Sequence, residues 1–262
     1  MPKFAVNISM IGHPEPLEER LRLVADAGFP AVEFWFPHQF DMNEMARLTR
    51  AHGLSVALFD LEPSESHPYG HVADPETEAE FFRRLDDAFK TARTLDCQVL
   101  NVLQGMRIPE LTEERQIDIA AERMARAAPL AEREGIVLCI EAINTIDRPG
   151  SFCHCTRIGT AIVDLVASPW VKFQYDVYHM QLMEGNIVST LRQHIKSIGH
   201  VQFADPPGRN EPGTGEIRFP YIVEELDRLE YEGWVSLEYW PSTSAISHFD
   251  WLPRDQRKLK QV

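Results

Sequence analysis

The chain has 262 residues, 26 Lys and Arg against 40 Asp and Glu, a formal charge of -14, and 44% hydrophobic residues. That length suits one α/β barrel of roughly 250 residues or two smaller domains, and the composition excludes a disordered chain. An acidic surface repels a phosphate backbone, no apolar run reaches the roughly 18 residues of a membrane span, and Met1-Pro2-Lys3-Phe4 does not open a secretory signal. Nucleic-acid and membrane partners are therefore not expected, and a cytoplasmic location is.

In chain order, β-type apolar runs fall at 4–8, 31–36, 54–59, 98–103, 136–140, 171–175, 198–203 and 234–237. Helical periodicity fills the gaps. Leu17, Leu21, Val24 and Ala25 share a face in the first helix, Phe82, Leu85, Phe89 and Ala92 in the third, and Ile117, Ala121, Met124 and Ala128 in the fourth. Four junctions run from a helix through glycine into a strand, at Gly28, Gly53, Gly135 and Gly233, and each reads as a left-handed helix cap. Pro129 falls inside the fourth helical pattern, where a kink or break is expected.

Eight strands alternating with helices, and no linker-like break, predict a single (β/α)8 TIM barrel over residues 1–262, with 241–262 as a C-terminal extension. A doubly wound sheet is disfavoured because no G-x-G-x-x-G follows the first strand. The long connection 60–74 follows a strand, which makes it a candidate lid. Trp240, Phe249 and Trp251 offer apolar area for the barrel rim or for a homo-oligomer contact, while Arg254, Arg257, Lys258 and Lys260 read as a solvated basic tail. The four cysteines are expected to be reduced, and Cys153-His154-Cys155 lacks the second ligand pair of a zinc site.

Polar residues that close barrel strands line the mouth where ligands bind, so they are the candidates for chemistry. The last four strands end Ile140-Glu141, Tyr175-Asp176, Val201-Gln202-Phe203 and Leu237-Glu238, each about one βα unit from the next. Three converging carboxylates repel one another unless a cation lies among them, and oxygen donors select Mn2+ or Mg2+ over zinc. His179 is placed to polarise a substrate carbonyl, Arg209 to pair a substrate carboxylate, and Glu216 to hold the loop after the seventh strand. Structural hydrogen bonding at the rim is the alternative for each of them.

Five stretches resemble the hydroxypyruvate isomerase family within the xylose-isomerase-like barrels, over nearly the whole chain. They are Phe4-Ala5-Val6-Asn7-Ile8-Ser9-Met10, Gly28-Phe29-Pro30-Ala31-Val32-Glu33-Phe34, Ile140-Glu141-Ala142-Ile143-Asn144, Gln174-Tyr175-Asp176-Val177-Tyr178-His179-Met180-Gln181 and Glu211-Pro212-Gly213-Thr214-Gly215-Glu216-Ile217. The resemblance implies that Glu141, Asp176, Gln202 and Glu238 hold a divalent metal and that Glu141 and Glu238 are the acid/base pair, with Asn144, His179 and Arg209 as substrate contacts. The implied reaction moves a carbonyl through an enediolate in a small 2-oxo-3-hydroxy acid, first of all hydroxypyruvate to tartronate semialdehyde. A ketose 3-epimerase or 2-oxo-tetronate isomerase with the same glutamates is the alternative. An apurinic-site endonuclease or a non-catalytic sugar-binding barrel fits less well. Where family members carry a Gly-, Trp- and Arg-containing stretch after the third strand, this chain has Leu61-Glu62-Pro63-Ser64-Glu65-Ser66-His67-Pro68-Tyr69-Gly70, so its substrate cover is expected to differ.

Overall fold

The chain is described by a computed structural model that covers residues 1–243 and 246–258. Its elements run β1 (Lys3–Asn7), α1 (Leu17–Ala27), β2 (Ala31–Phe34), α2 (Met42–Ala51), β3 (Ser55–Asp60), α3 (Glu78–Leu95), β4 (Val99–Asn101), α4 (Glu113–Glu134) and β5 (Val137–Glu141). They continue with α5 (Thr156–Val166), β6 (Val171–Asp176), α6 (Val177–Met183), α7 (Ile187–His194), β7 (Ile198–Phe203), α8 (Phe219–Arg228) and β8 (Trp234–Leu237). The strands are parallel and close into a barrel in sequence order, β1 pairing with β8 from Lys3↔Trp234 to Val6↔Leu237.

Alternation along the strands separates two kinds of interior. Bulky residues such as Phe4, Val6, Val32, Phe34, Leu138, Ile140, Phe173 and Tyr175 belong to one large core with the helices. Ala5, Ala31 and Ala57 form a separate small cluster with Trp234 against it, the alternate face that fills the barrel itself. Two residues further along β1 and β2 the same face carries Asn7 and Glu33, both fully buried. Small side chains thus plug the lower barrel and leave its upper layer to polar groups. Register fixes their heights, with Glu141 opposite Gln174, Asp176 opposite Gln202 and Gln202 opposite Ser236.

Several local expectations need correction. Gly28 and Gly135 are left-handed helix caps at φ 88° and 68°, and Gly53 also has positive φ, but Gly233 does not; there α8 ends earlier, and Glu230 takes the left-handed turn. Gly233 is small for another reason, since a Cβ there would lie 2.3 Å from the Tyr231 hydroxyl. Pro129 does not break α4, which runs on to Glu134. Pro129 and Ala125 are both exposed, so the carbonyl that loses its N–H partner faces water.

The eighth βα unit is also unusual. Among the described residues no α-helix follows β8, and the segment from 246 to 258 packs instead against β1, the end of β7, the start of α8 and the end of α1. Phe249 is buried against Phe29 at 4.9 Å between ring centroids, and Trp251 packs on Phe4, Phe203 and Phe219. Both aromatics are therefore used within the chain, and of the three only Trp240 is exposed. Nor is the tail simply solvated. Arg257 is buried and donates to the carbonyls of Leu252, Phe249 and Ala27, while Arg254 donates to Asp26, so both arginines reach carbonyls at the end of α1. Lys260 lies outside the described residues.

The connection 60–74 is anchored at several points. His71 is buried, its ring bonded to Ser64 Oγ at 3.0 Å and its carbonyl accepting from Thr77 and Arg123. Burial, then Arg84 and His67, lower the His71 pKa to about 4 and keep it neutral. From this base, Pro68 and Tyr69 reach the barrel mouth.

Candidate active site

A cavity of about 110 Å³ opens at the C-terminal ends of the strands, bordered by Trp35, Asp60, Tyr69, Glu141, Arg148, His179, Arg209 and Glu238 among others. The strands supply its charged floor because their last inward positions point up into it. Its two glutamates are held by side chains from other parts of the barrel. Glu141 accepts from Asn101 Nδ2 of β4 at 2.6 Å. Glu238 accepts from Trp35 Nε1 at 2.6 Å and Asn7 Nδ2 at 3.1 Å through one oxygen, and from Arg209 through the other.

Asp176 divides its two oxygens between structure and site. Oδ1 caps α6, accepting from the backbone N–H of Tyr178 at 2.7 Å and of His179 at 3.2 Å. Oδ2 is buried and accepts no hydrogen bond; it lies 3.6 Å from His179 Nε2 and 3.7 Å from Arg209. An orphaned carboxylate oxygen of this kind, beside a second carboxylate, is the donor chemistry that a hard cation satisfies. Ligand atoms of Glu141, Asp176 and His179 lie within 4.8 Å of one another.

The ring of His179 has its tautomer set by the chain. Asn144 Oδ1 accepts from the backbone N–H of Ile146 at 2.9 Å and of Asp147 at 2.7 Å, so its Nδ2 is the atom that donates to His179 Nδ1. The proton of the neutral imidazole then sits on Nε2, the nitrogen facing Glu141 and Asp176. Burial, with Arg209 and Arg148 nearby, holds the His179 pKa well below its ordinary value. His179 consequently presents an N–H to the cavity and no lone pair for a metal.

The electrostatics of the floor follow from too many carboxylates for the cations present. Burial raises Glu141 well above the usual range, and Glu238 and Asp176 push it further. Burial also raises Asp176, Arg209 opposes that rise, Glu238 adds to it, and the outcome is about 7. Glu238 is raised by burial in spite of Arg209. Asp60, which also borders the cavity, is raised well above its usual value by burial, then by Glu141 and Glu238. Arg209 is held above its own ordinary value by Glu238, Asp176 and Glu141 although burial opposes its charge.

The structure brings together Glu141, Asp176, His179, Arg209 and Glu238 from the residues singled out in the sequence. Gln202 lies opposite Asp176 in the β6–β7 register, its carboxamide oxygen accepting from Gln174 at 2.8 Å and its nitrogen donating to Glu33 at 2.7 Å. Asn144 reaches His179 and its own loop, and Arg209 is paired with Glu238. The loop after β7 is organised by Asp205, which accepts the N–H of Gly213, Gly215 and Ile217, whereas Glu216 is exposed and accepts from Gln181. The strand-end reading missed Glu33, which lies fully buried across the barrel from His200 with a 2.6 Å contact between them. An acid within the apolar run Val32-Glu33-Phe34 was the available signal.

A family model described as a xylose isomerase-like TIM barrel matches residues 21–260. The chain is 35% identical over 254 residues to the 2-oxo-tetronate isomerase of Cupriavidus necator and 34% identical over 254 residues to the hydroxypyruvate isomerase of Escherichia coli, each alignment covering 96% of this chain and 98% of the relative. A crystal structure from Brucella melitensis, described as an AP endonuclease of family 2, is similar with a TM-score of 0.91 and 34% identity, over 96% of this chain and 98% of that one. The chain belongs to the xylose isomerase-like TIM barrel family. Within that family it is an isomerase, grouped with the hydroxypyruvate and 2-oxo-tetronate isomerases. Among the described residues no helix is long and apolar enough to cross a membrane.

Proposed function

We propose that this isomerase moves a carbonyl between adjacent carbons of a small 2-oxo-3-hydroxy acid, hydroxypyruvate to tartronate semialdehyde in the first instance and a 2-oxo-tetronate as the same reaction on a longer chain. The observation that carries the reading is the pair of glutamates bordering one cavity, both with raised pKa, Glu141 held by Asn101 and Glu238 by Trp35, Asn7 and Arg209. A carboxylate of raised pKa is a stronger base when ionised and a usable acid when protonated. One glutamate removes the proton from C3, the C–H electrons form the C2–C3 double bond as the C2=O π electrons move onto O2 to give the enediolate, and a proton returned to C2, with O2 protonated and the O3 proton lost, leaves the carbonyl at C3. Neutral His179 donates Nε2–H to the oxygen on which negative charge grows.

Glu141 and Asp176, with Glu238 and Gln202 beside them, are the residues that would hold Mn2+ or Mg2+. When bound, such an ion supplies Lewis-acid polarisation of the two neighbouring substrate oxygens. The orphaned Asp176 Oδ2 and the raised carboxyls support that assignment. The four cysteines are free, in keeping with a reducing cytoplasm. The formal charge of -14 weighs against a nucleic-acid substrate.

The test is deuterium uptake from heavy water, followed by proton NMR, with a panel of 2-oxo acids and ketoses. Exchange at C3 of the acid together with appearance of the aldehyde isomer is the expected result. Inversion at C3 of a free ketose without carbonyl movement would make the enzyme an epimerase and overturn the reading.

A further inference from the structure

The cavity has two arginines on its border, and they are in different situations. Arg209 is bonded to Glu238 and faces Asp176 at 3.7 Å, so its charge is already used to balance the floor. Arg148 has no carboxylate within ion-pair distance among the described residues, although it borders the same cavity. It belongs to the loop after β5, is exposed, and its guanidinium carbon lies 5.1 Å from the centroid of the Tyr69 ring. Tyr69 lies against the guanidinium, whose N–H groups make no hydrogen bond among the described residues.

The loop that carries Arg148 is not placed by chance. Asn144, the residue that sets the His179 tautomer, accepts the N–H groups of Ile146 and Asp147 with its side chain and that of Arg148 with its carbonyl at 3.2 Å. One residue therefore fixes both the imidazole at the floor and the arginine at the rim. Asp60, Glu141 and Glu238 border the cavity, and they repel an anionic substrate unless its charged end stays at the rim.

We infer that Arg148, backed by Tyr69, is the carboxylate anchor that makes this site select an acid over the corresponding neutral ketose. The inference rests on the proposed function, and it places C1 of the substrate against Arg148 at the rim and C2 and C3 among Glu141, His179 and Glu238. The planar fork of the arginine matches the two carboxylate oxygens, which a lysine can meet only as a point charge.

The experiment pairs binding with turnover. D-Glycerate, which has the carboxylate but no carbonyl to isomerise, is titrated calorimetrically into the wild type, Arg148→Met and Arg148→Lys in excess Mg2+. Arg148→Met is expected to weaken glycerate by about thirtyfold, and Arg148→Lys by about threefold to tenfold, as charge-assisted hydrogen bonds are lost in whole or part. In turnover the same loss appears in KM for the acid more than in kcat, and the preference for acid over ketose falls by a similar factor. Equal glycerate affinity in wild type and Arg148→Met overturns the assignment, as does absence of glycerate binding to the wild type. A glycerate affinity that depends on Arg148 in a protein that exchanges no deuterium into any 2-oxo acid supports the anchor and removes the proposed reaction.

Discussion

Two histidines buried in this barrel differ in what holds them. His200 meets the carboxylate of Glu33 across the barrel, whereas His179 meets the amide of Asn144. The carboxylates beside them differ as well. Burial pushes Glu33 up, but His200, Ser236 and Gln202 together bring it below its usual value. Among the described residues Glu141 accepts a hydrogen bond from Asn101 alone, and burial, then Glu238 and Asp176, lift it well above its usual value. A buried acid with a partner on every side is structure, and one short of positive charge is available for chemistry.

The largest test of that contrast is Glu141→Gln, which keeps the shape but removes the base. A loss of roughly a thousandfold or more in kcat is expected by steady-state assay, with the fold retained by circular dichroism. A loss of less than tenfold breaks the assignment. The complementary change, Glu33→Ala, strands His200, Asn7 and Gln202 without their acceptor. It is expected to cost about 3 kcal/mol or more in urea unfolding, since several buried hydrogen-bonding groups lose their partner together. Asn144→Asp sharpens the comparison of the histidines, because a carboxylate at 144 accepts from His179 Nδ1–H and removes the proton from Nε2. A drop in kcat of roughly a hundredfold is expected, with the tautomer change read from nitrogen NMR of the ring.

The smallest effect is on pH dependence. Glu33, lowered in the fold, contributes stability that is present above its unfolded pKa and is lost as pH falls through the folded value. Asp176, raised to about 7, acts in the opposite sense: its contribution is full below its unfolded pKa of about 4 and is lost as pH rises through about 7. Chelator-treated protein should therefore melt several degrees lower at neutral to mildly alkaline pH than at mildly acidic pH, and Asp176→Asn should flatten that slope. An unchanged slope in the variant would place the titrating group elsewhere.

The sequence made the barrel legible because hydrophobic periodicity and helix-closing glycines are local signals. It likewise exposed Glu141, Asp176 and Glu238, since a carboxylate ending an apolar run stands out. Asn7, Asp60 and Asn101 end strands too, yet their role is defined by partners on other strands. The pairing of Glu33 with His200 spans 167 positions and depends on the phase of alternation around the barrel, which shifts in register between Val32 and Glu33 on β2. The engagement of Arg209 by Glu238, which leaves Arg148 open, likewise depends on where side chains from two loops meet. The absence of an α-helix after β8 among the described residues left no local signal, because Phe249, Trp251 and Arg257 reveal their use only against α1 and β1.

The proposed function needs one divalent cation among the carboxylates at the barrel mouth. Calorimetric titration of Mn2+ into chelator-treated protein, repeated in buffers of different ionisation enthalpy, measures ion and proton together. One ion per chain, net proton release near neutral pH, and loss of binding in Asp176→Asn and Glu141→Gln are expected. Absence of binding, or binding that both variants leave intact, would contradict it.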